Sequence, residues 1–590
     1  MADILWSFST TIRNPERITS FFKTIVDLEG EEWNEDNQIR FQVLLIKNRF
    51  YKPTSEKLNN HQIAILDDPS YEMSEEEAKD IFDSKGYVDP AMRGRTSFDP
   101  LEKVGLVSLI NNVVTITSVG RKYLDGEIEF GDVFFNALIK QQYPCPLSGD
   151  NTIGYDIKPF IAVLHIIKGV NERWQRLGND PVGISREEFG IFCLNLKRYT
   201  ELELVSDRIV NFRRQVRTII GQQQRKQFID IFTHEYLRDY PSIDTKLTDY
   251  RDNMLRCLRL TKLIYIRGNG YYIDLEPRRN VEITRLLEAD NASSRQFDTD
   301  EWNAYIGSST SYTLPWETPD SLRQIQLNII VDIRRLEQEL NIAQGQYDVF
   351  DDLLNANNNI TNLRKRRLAL ENDKNKIVYS ELDKALEVAG LYEFRTIKNC
   401  VANRPCVELE RMSTLALTVI DDALLIKPNY PVGDDNEPTW TAPAEVPDIE
   451  CFYEDFNMIC EVTLLSRRDQ WISEGQPVMR HLRDFEDCSS KADNYCLFIA
   501  PTIHQDTMNT FWYATKYDYD GRRQKIIPIS ISQMHAILEK VAEIKENGRR
   551  VYHNQLRSLL EACTSVNNIN SFSQWRELID LEVENWINSL

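Results

Sequence analysis

The alternation of apolar and polar positions predicts a helix, a short hairpin and a second helix near the end of the first 150 residues. A helical segment over 99–104 stops at Gly105, and the β-branched run 113–117 follows a turn at Asn111-Asn112. Ser118 is placed to cap the next helix. This order of elements is typical of the end of a winged-helix module.

A similar order of elements recurs further along the chain. Residues 185–188, Ser-Arg-Glu-Glu, form a capping box that begins a helix. Residues 254–260 predict another helix, and residues 263–273 predict a hairpin that turns at Gly268-Asn269-Gly270. The sequence therefore predicts a second winged-helix-like module.

The first half of the chain is interpreted as two winged-helix-like DNA-recognition modules, 1–150 and 151–295, with a scaffold for protein contacts as the alternative. Residues 296–378 predict a helical linker, because apolar residues recur every three or four positions between Leu322 and Leu340 and again in a second helix. The basic run 364–367 in that second helix is more typical of a solvated face than of a DNA contact.

The last part of the chain, 379–590, predicts an α/β domain, so the whole chain is expected to be a multidomain α+β protein. Ser380 and Pro405 are placed to begin helices, and further helices are predicted after Pro477 and over 533–545. The predicted strands are 449–453, 458–465, 495–500 and 526–531.

Composition limits the classes of function. No apolar run approaches the about 20 residues that span a bilayer, and the N-terminus lacks a signal-peptide pattern, which predicts a cytoplasmic protein without a membrane partner. The ten cysteines include no CxxC pair and are interpreted as reduced thiols. The net charge of −21 argues against a nucleic-acid partner, but only weakly, because DNA meets one face of a protein.

Asp448 and Glu461 are the first candidates for chemistry. Asp448 begins a predicted strand, and Glu461 lies thirteen residues later within an apolar strand, where a charge is costly to bury without a partner. Phosphodiester hydrolysis uses hard divalent cations, which prefer oxygen ligands. The position two residues after Glu461, often a lysine in such nucleases, is Thr463. The alternative is an ordinary surface aspartate and a glutamate with a structural partner.

Glu408 and Glu474 are candidates to complete an acidic cluster. On a helix that begins at Pro405, Glu408 falls on an otherwise apolar stripe, although a first-turn glutamate is also favoured by the helix dipole. Glu474 comes just before the helix predicted after Pro477 and could occupy the place of a catalytic lysine. His481, one turn into that helix, is more often structural than catalytic.

Several segments around these carboxylates carry a family resemblance. They are Val-Pro-Asp-Ile-Glu-Cys-Phe-Tyr-Glu-Asp-Phe at 446–456, Cys-Glu-Val-Thr at 460–463, Pro-Val-Met-Arg-His at 477–481, and the segments 495–501 and 526–530. Weaker similarity in the first half includes 14–18, Arg93-x-Arg95, 142–144 and 267–269. In these segments the chain resembles the AlwI-type endonucleases, which are type IIS restriction enzymes and their site-specific nicking relatives.

The resemblance implies an N-terminal recognition region, a helical linker and a C-terminal cleavage domain of PD-(D/E)xK type. It also implies Mg²⁺, with Mn²⁺ as a substitute, and double-stranded DNA that is cut a few base pairs outside a short asymmetric site. The implied catalytic residues are Glu408, Asp448, Glu461 and Glu474, and the implied metal ligands are Asp448, Glu461 and the Val462 carbonyl. Since the family also lacks the lysine, Thr463 is no sign of an inactive enzyme.

The sequence also offers candidates for DNA contacts, and the resemblance implies protein partners. Arg93 and Arg95 are candidates to grip guanine or phosphate, and Lys103 and Arg121 to contact phosphate. Expected partners are a transient dimer mate or a small catalytic subunit at the cleavage domain, and the cognate DNA methyltransferase of a prokaryotic restriction-modification system. The alternatives are a strand-specific nicking enzyme, the large subunit of a heterodimeric enzyme, a non-specific nuclease, and a non-catalytic winged-helix DNA-binding regulator.

Overall fold

The computed structural model divides the chain into two compact units and confirms a mixed α+β multidomain fold. The first unit comprises Met1–Leu66, Tyr71–Ile330 and Tyr347–Asn362, and the second Asp67–Ser70, Val331–Gln346 and Leu363–Leu590. The finer division into two modules, a linker and a cleavage domain stays a prediction. The structure describes residues 5–7, 15, 17–67, 71–147, 152–240, 243–267, 272–400, 405–420, 422–443, 446–489, 491–519 and 521–590.

Helices dominate the first 306 residues, with two small antiparallel sheets between them. The helices are α1 (Arg17–Ile25), α2 (Glu35–Lys47), α3 (Asn60–Asp67), α4 (Glu75–Ser84), α5 (Ala91–Lys103), α6 (Ser118–Leu124), α7 (Phe130–Lys140), α8 (Pro159–Arg176), α9 (Arg186–Glu188), α10 (Leu202–Thr218), α11 (Gln222–Tyr236), α12 (Ile243–Leu260), α13 (Asn280–Ala289) and α14 (Thr299–Ile306). The strands are β1 (Val107–Ile110), β2 (Val113–Ile116), β3 (Ile184–Ser185), β4 (Ile264–Arg267) and β5 (Tyr272–Leu275).

The predicted helix, hairpin and helix near residue 110 are present as α5, the antiparallel pair β1–β2, and α6. The cap of α6 is Thr117 rather than Ser118, because Thr117 keeps an extended backbone and its hydroxyl accepts the N–H of Gly120 at 3.0 Å. Ser118 already has helical geometry and belongs to the first turn.

The second predicted segment differs in detail. The capping box of Ser185 with Glu188 is confirmed, but α9 passes after three residues into a π-helical turn, Phe189–Cys193. Strand β5 lies between β3 and β4 and pairs antiparallel with both. The turn predicted at 268–270 lies outside the described residues.

The remaining helices of the chain are α15 (Pro319–Glu339), α16 (Leu353–Ser380), α17 (Leu382–Leu391), α18 (Phe394–Lys398), α19 (Pro405–Ile420), α20 (Arg468–Cys488), α21 (Gln505–Lys516), α22 (Ile531–Glu546), α23 (His553–Thr564) and α24 (Phe572–Ser589). Helix α19 begins at Pro405 as predicted, and α15 begins at Pro319. Ser380 is not a cap, because it ends α16 and its hydroxyl donates to the carbonyl of Ile377. Among the described residues, no helix has the length and hydropathy needed to cross a membrane.

A five-stranded mixed sheet forms the centre of the second unit. Its strands are β6 (Leu425–Pro428), β7 (Ile449–Phe452), β8 (Asn457–Val462), β9 (Asn494–Ala500) and β10 (Ile526–Ser530), in the spatial order β10-β9-β8-β7-β6. Strands β6, β7 and β8 pair antiparallel, whereas β8, β9 and β10 pair parallel. All of β9 and nearly all of β8 is buried, as expected for central strands with mostly apolar residues, and Glu461 is a buried acid within β8. Strand β6 was not predicted.

Candidate active site

Asp448 and Glu461 meet at one end of the β7–β8 pair. Ile449 lies opposite Cys460 in the antiparallel register, so Asp448, one residue earlier, lies opposite Glu461, one residue later. The N–H of Val462 donates to Asp448 Oδ2 at 2.8 Å and fixes that carboxylate at the strand end. The sheet itself therefore brings the two predicted acids together.

Helix α20 adds Glu474 and His481 to this end of the sheet. The two residues are seven apart, which places them on one face two turns from each other. The Thr463 hydroxyl hydrogen-bonds the Glu474 carboxylate, and His481 Nδ1 lies 2.8 Å from Glu461 Oε1. The helix begins at Arg468 and includes Pro477, so Glu474 lies within it rather than before it.

Helix α19 contributes Glu410 to the cluster, whereas it directs Glu408 elsewhere. Glu408 Oε2 lies 3.6 Å from Arg411 Nε, on the side of the helix where Arg411 also meets Glu437. Glu410 is buried, accepts the N–H of Ala442 at 2.8 Å and interacts electrostatically with the other acids. Glu410 therefore lies in the cluster and Glu408 does not, although the two are only two residues apart and about 200° around the helix.

The stripe that singled out Glu408 did not discriminate between these positions, because α19 is buried on every side except one. Glu408 lies on that half-buried side with Arg411, Leu415 and Thr418. Val407, Leu409, Met412 and Ala416 are all core residues although they cover different faces. A narrow apolar stripe does not mark the inward side of a helix whose buried side is this wide. Glu410 carries a detectable signal only as a second acidic residue in such a helix.

Burial raises the pKa of every carboxyl in the cluster, and repulsion by neighbouring acids adds to this at Asp448, Glu461 and Glu410. The pKa values of Asp448 and Glu461 lie well above the usual range, first through desolvation and then through the charge of a neighbouring acid. Burial and the charge of Asp448 raise the pKa of Glu410 to about 9. Burial also raises the pKa of Glu474, against the hydrogen bond from Thr463. Four anions in this space are unfavourable unless a cation joins them.

No lysine or arginine of the described residues forms an ion pair with these four carboxylates. Glu450 on β7, by contrast, has a cationic partner, because its carboxylate lies 3.0 Å from Lys427 Nζ on β6. At the position of the usual lysine, Thr463 supplies a hydroxyl without charge. In the described part of the chain, these acids are therefore relieved of their mutual repulsion by protonation or by a bound cation.

The cluster offers carboxylate oxygens and the backbone carbonyl of Val462, and oxygen atoms are the ligands that a hard divalent cation prefers. Asp448 and Glu474 are half-buried and give the cluster access to solvent. In the described part of the chain, however, no three acidic, histidine or cysteine side chains already surround a common point. Asp448 and Glu461 are held by Val462 and His481, so side chains would have to turn inward around a cation.

The two arginines predicted to contact DNA lie on exposed parts of α5. Arg93 lies 4.6 Å over the ring of Tyr87, and Arg95 forms a 2.6 Å ion pair with Asp89. Gly94 between them packs against α2 so closely that a Cβ would lie 1.9 Å from a carbonyl oxygen. The close approach fixes this stretch of helix and leaves both guanidinium groups outside.

Lys103 and Arg121 also have acidic neighbours, Asp99 at 2.8 Å and Glu29 respectively. Surface ion pairs of this kind are worth about 0–1 kcal/mol and are screened by salt, so a phosphate can compete for the cations. The four DNA-binding assignments stay predictions.

The model of the AlwI restriction endonuclease family matches residues 102–537. None of the curated proteins matches the chain. One similar solved structure is the small subunit (R.BspD6I2) of the heterodimeric restriction endonuclease R.BspD6I, with 19% identity over 34% of this chain and 98% of that chain, and a TM-score of 0.29. Another is the BpuJ1 endonuclease binding domain in complex with pyrene- and phenanthrene-modified DNA, with 14% identity over 52% of this chain and 97% of that chain, and a TM-score of 0.32. Because the family match covers well over half of the sequence, this chain belongs to the AlwI restriction endonuclease family and is a site-specific deoxyribonuclease.

Proposed function

We propose that this protein is a type IIS restriction endonuclease. Its first 295 residues would read a short asymmetric site in double-stranded DNA through winged-helix-like modules. A PD-(D/E)xK-type domain in the second unit would then hydrolyse phosphodiester bonds a few base pairs outside that site. The observation that carries the catalytic part is the group of four carboxylates, Asp448, Glu461, Glu474 and Glu410, whose pKa values are raised and which form no ion pair with a lysine or arginine of the described residues.

Asp448, Glu461 and the Val462 carbonyl are the residues that would hold Mg²⁺, with Mn²⁺ as a substitute. The bound cation supplies charge neutralisation for the phosphate and a lowered pKa for the attacking water. The strand register keeps the two carboxylates opposite each other, and the Val462 N–H holds one oxygen of Asp448.

The other residues of the cluster would orient the carboxylates of Glu474 and Glu461 and would exchange protons. Thr463 directs the Glu474 carboxylate through its hydroxyl, and His481 orients Glu461 through Nδ1. Glu410, with a pKa of about 9, holds its proton at neutral pH while no cation is bound. Glu474, like Asp448, is half-buried and could meet a water that enters from solvent.

One cluster of this kind can cut one strand at a time. Cleavage of both strands would require a second catalytic domain, supplied by a transient dimer or by a small catalytic subunit. Cutting of a single strand would instead make the protein a nicking enzyme or the large subunit of a heterodimer. In each case a cognate methyltransferase is expected to protect the host DNA.

The deciding experiment is cleavage of plasmid DNA by the full chain with Mg²⁺ and with EDTA. We expect discrete products with Mg²⁺, none with EDTA, and none from Asp448→Ala or Glu461→Ala. Glu577→Gln is a matched control, because Glu577 is an exposed acid on α24 of the same unit. Undiminished cutting by both alanine variants would reject the cluster as the site.

Run-off sequencing of both strands then separates the remaining possibilities. A fixed offset from one sequence supports the type IIS assignment, and a break in one strand alone supports nicking. Random fragments would indicate a non-specific nuclease. Specific binding without any cleavage would indicate the DNA-binding regulator.

A further inference from the structure

Helices α10 and α11 of the first unit are joined by a turn of three residues. Helix α10 ends at Thr218 and α11 begins at Gln222. Gly221 in this turn has φ +100°, and a Cβ there would lie 2.2 Å from the side-chain oxygen of Gln224. Arg225 Nε donates to the carbonyl of Ile219 at 2.8 Å and holds the turn. Two helices joined by a short turn that contains glycine are the arrangement of a helix-turn-helix motif.

One face of α11 is attached to the rest of the unit through aromatic rings. The Phe232 ring lies 4.7 Å from that of Phe212 on α10, and the Tyr236 ring lies 5.1 Å from that of Phe192 in the π-helical turn. Among the described residues of α11, only Thr233 is fully buried. The helix is therefore anchored along one side and presents its remaining surface to solvent.

The exposed surface at the start of α11 is composed almost entirely of glutamine and cations. All six residues 222–227, Gln-Gln-Gln-Arg-Lys-Gln, are exposed. Gln223 and Gln227 lie one turn apart on the side opposite the aromatic anchor. Neither of them makes a side-chain hydrogen bond to another described residue. Glutamine can bind the N6 and N7 atoms of adenine with two hydrogen bonds in the major groove.

The charge of this region departs from that of the rest of the chain. No acidic residue occurs between Asp207 and Asp230, although the chain has 91 acidic and 70 basic residues. The same stretch contains exposed Arg214, Arg217 and Lys226 near the turn. A local excess of cations in a chain of net charge −21 is the surface that duplex DNA requires.

An apolar side chain is exposed at the same place. Ile220, the middle residue of the turn, is 91% exposed. An isoleucine left in water at the joint of two polar helices suits contact with the methyl group of a thymine, the one apolar group of the major groove.

We infer that α10 and α11 form a helix-turn-helix element that reads part of the DNA site from the major groove. Gln223 and Gln227 bind base edges with a preference for adenine, and Ile220 contacts a thymine methyl group. Arg214, Arg217 and Lys226 bind phosphates and set the register. This inference rests on the DNA recognition proposed for the first half of the chain but is independent of the metal chemistry.

The test is selection of binding sites by the full chain in EDTA, from a pool of DNA duplexes with a randomised centre. The unsubstituted protein and the double variant Q223A/Q227A are compared. We expect the variant to lose its preference at one or two A·T positions while the other selected positions stay. For the selected site the binding constant should fall roughly 10- to 100-fold per lost contact, with non-specific binding unchanged.

Gln324→Ala is the matched control, since Gln324 is an exposed glutamine on α15 within the same unit. The control should select the same site as the unsubstituted protein. Thermal unfolding should be unchanged for all variants, because the substituted side chains are exposed. An unchanged selected site for Q223A/Q227A, or an equal loss at every position, would overturn the inference.

Arg214→Gln separates phosphate contacts from base contacts. It should weaken binding to selected and random duplexes by a similar factor and reduce the slope of log binding constant against log salt by about one. Because binding is measured without a divalent cation, this result does not depend on whether Asp448 and Glu461 catalyse cleavage. A variant that changed base preference but not the salt slope would contradict the phosphate role.

Discussion

Glu188 in the first unit and Glu461 in the second are both buried carboxylates, but their surroundings differ. Glu188 accepts hydrogen bonds from Arg213 Nε at 2.8 Å and Nη2 at 2.5 Å, one to each oxygen. Glu461 lies opposite Asp448 and has His481 at 2.8 Å. The fold neutralises the first charge completely. It leaves the second charge to be neutralised by something that binds from outside.

The difference between Glu188 and Glu461 is a property of the candidate active site and not of the whole second unit. Asp290 in the first unit lies 2.6 Å from Lys158, and Asp434 in the second lies 3.7 Å from Arg367, so buried pairs occur in both. A buried charge with a matched partner fixes the position of helices and loops. A group of buried acids without lysine or arginine stores electrostatic repulsion, and that repulsion is the basis for binding a cation.

The largest expected effect is on cleavage. Glu461→Gln keeps the shape of the side chain but removes an anionic oxygen ligand, which is worth several kcal/mol of charge stabilisation. We therefore expect the single-turnover cleavage rate to fall about 1000-fold or more. Glu188→Gln should leave the rate per folded molecule unchanged. Equal losses in the two variants would remove the distinction between the two carboxylates.

The next effect is on stability and has the opposite pattern. Glu188→Gln leaves the guanidinium of Arg213 buried without its anion, so the free energy of unfolding should fall by about 3–5 kcal/mol in a urea titration. Glu461→Gln should leave the metal-free stability unchanged or raise it, because it removes a carboxyl whose ionisation is unfavourable in the folded state.

The double variant Glu188→Leu with Arg213→Met is the control for this stability prediction. Replacing a buried ion pair by apolar side chains of similar volume is often neutral, so most of the loss should be recovered. If the double variant is as unstable as Glu188→Gln, the loss does not come from an uncompensated charge.

A smaller effect is expected from His481, which acts through Glu461. His481→Ala should lower the cleavage rate about 10- to 100-fold, the usual cost of removing a group that orients a metal ligand. His481→Asn should recover much of this rate, because its amide can donate to Glu461 from nearly the position of Nδ1. A purely structural role predicts that stability falls in both variants without such recovery.

The smallest expected effect is a dependence of stability on pH. The Glu410 carboxyl holds its proton up to about pH 9 in the folded protein but releases it near pH 4.5 when unfolded. The folded state therefore binds more protons in this window, and the free energy of unfolding falls as pH rises through it. Without metal ion, Glu410→Gln should flatten this fall by more than about 1 kcal/mol, and Glu577→Gln should not.

The sequence predicted elements best where the local pattern is complete. Strands β7, β8, β9 and β10 lie within about a residue of their predicted starts, because each is an apolar run bounded by turn or polar residues. Strand β6 has a less distinct pattern, with alternating exposed and half-buried residues at the sheet edge. The sequence misplaces the start of α20, because Pro477 has the pattern of a first-turn proline, whereas the helix accommodates it internally.

The part of the candidate site that lies on the sheet could be predicted from the sequence. Asp448 and Glu461 follow from sequence, because a two-strand antiparallel register brings the start of one strand to the end of the next. The sequence indicates His481 as a residue near the site, but it does not predict the contact with Glu461. That contact joins a helix to a strand twenty residues away in the chain. The sequence did not indicate the start of α11 as a site. The exposure of this segment depends on which faces of the helix are covered by the aromatic rings packed against it.

By itself, the sequence determined the order of elements, the apolar strands and the pair Asp448 and Glu461, because these depend on interactions between near neighbours in the chain. Only the tertiary structure decided that Glu410 rather than Glu408 joins that pair. Two positions on a helix with so wide a buried side differ by which neighbour each faces, and α19 is oriented by its packing against the rest of the unit. The same packing decides which buried acids receive a cation from the fold and which are left to bind one.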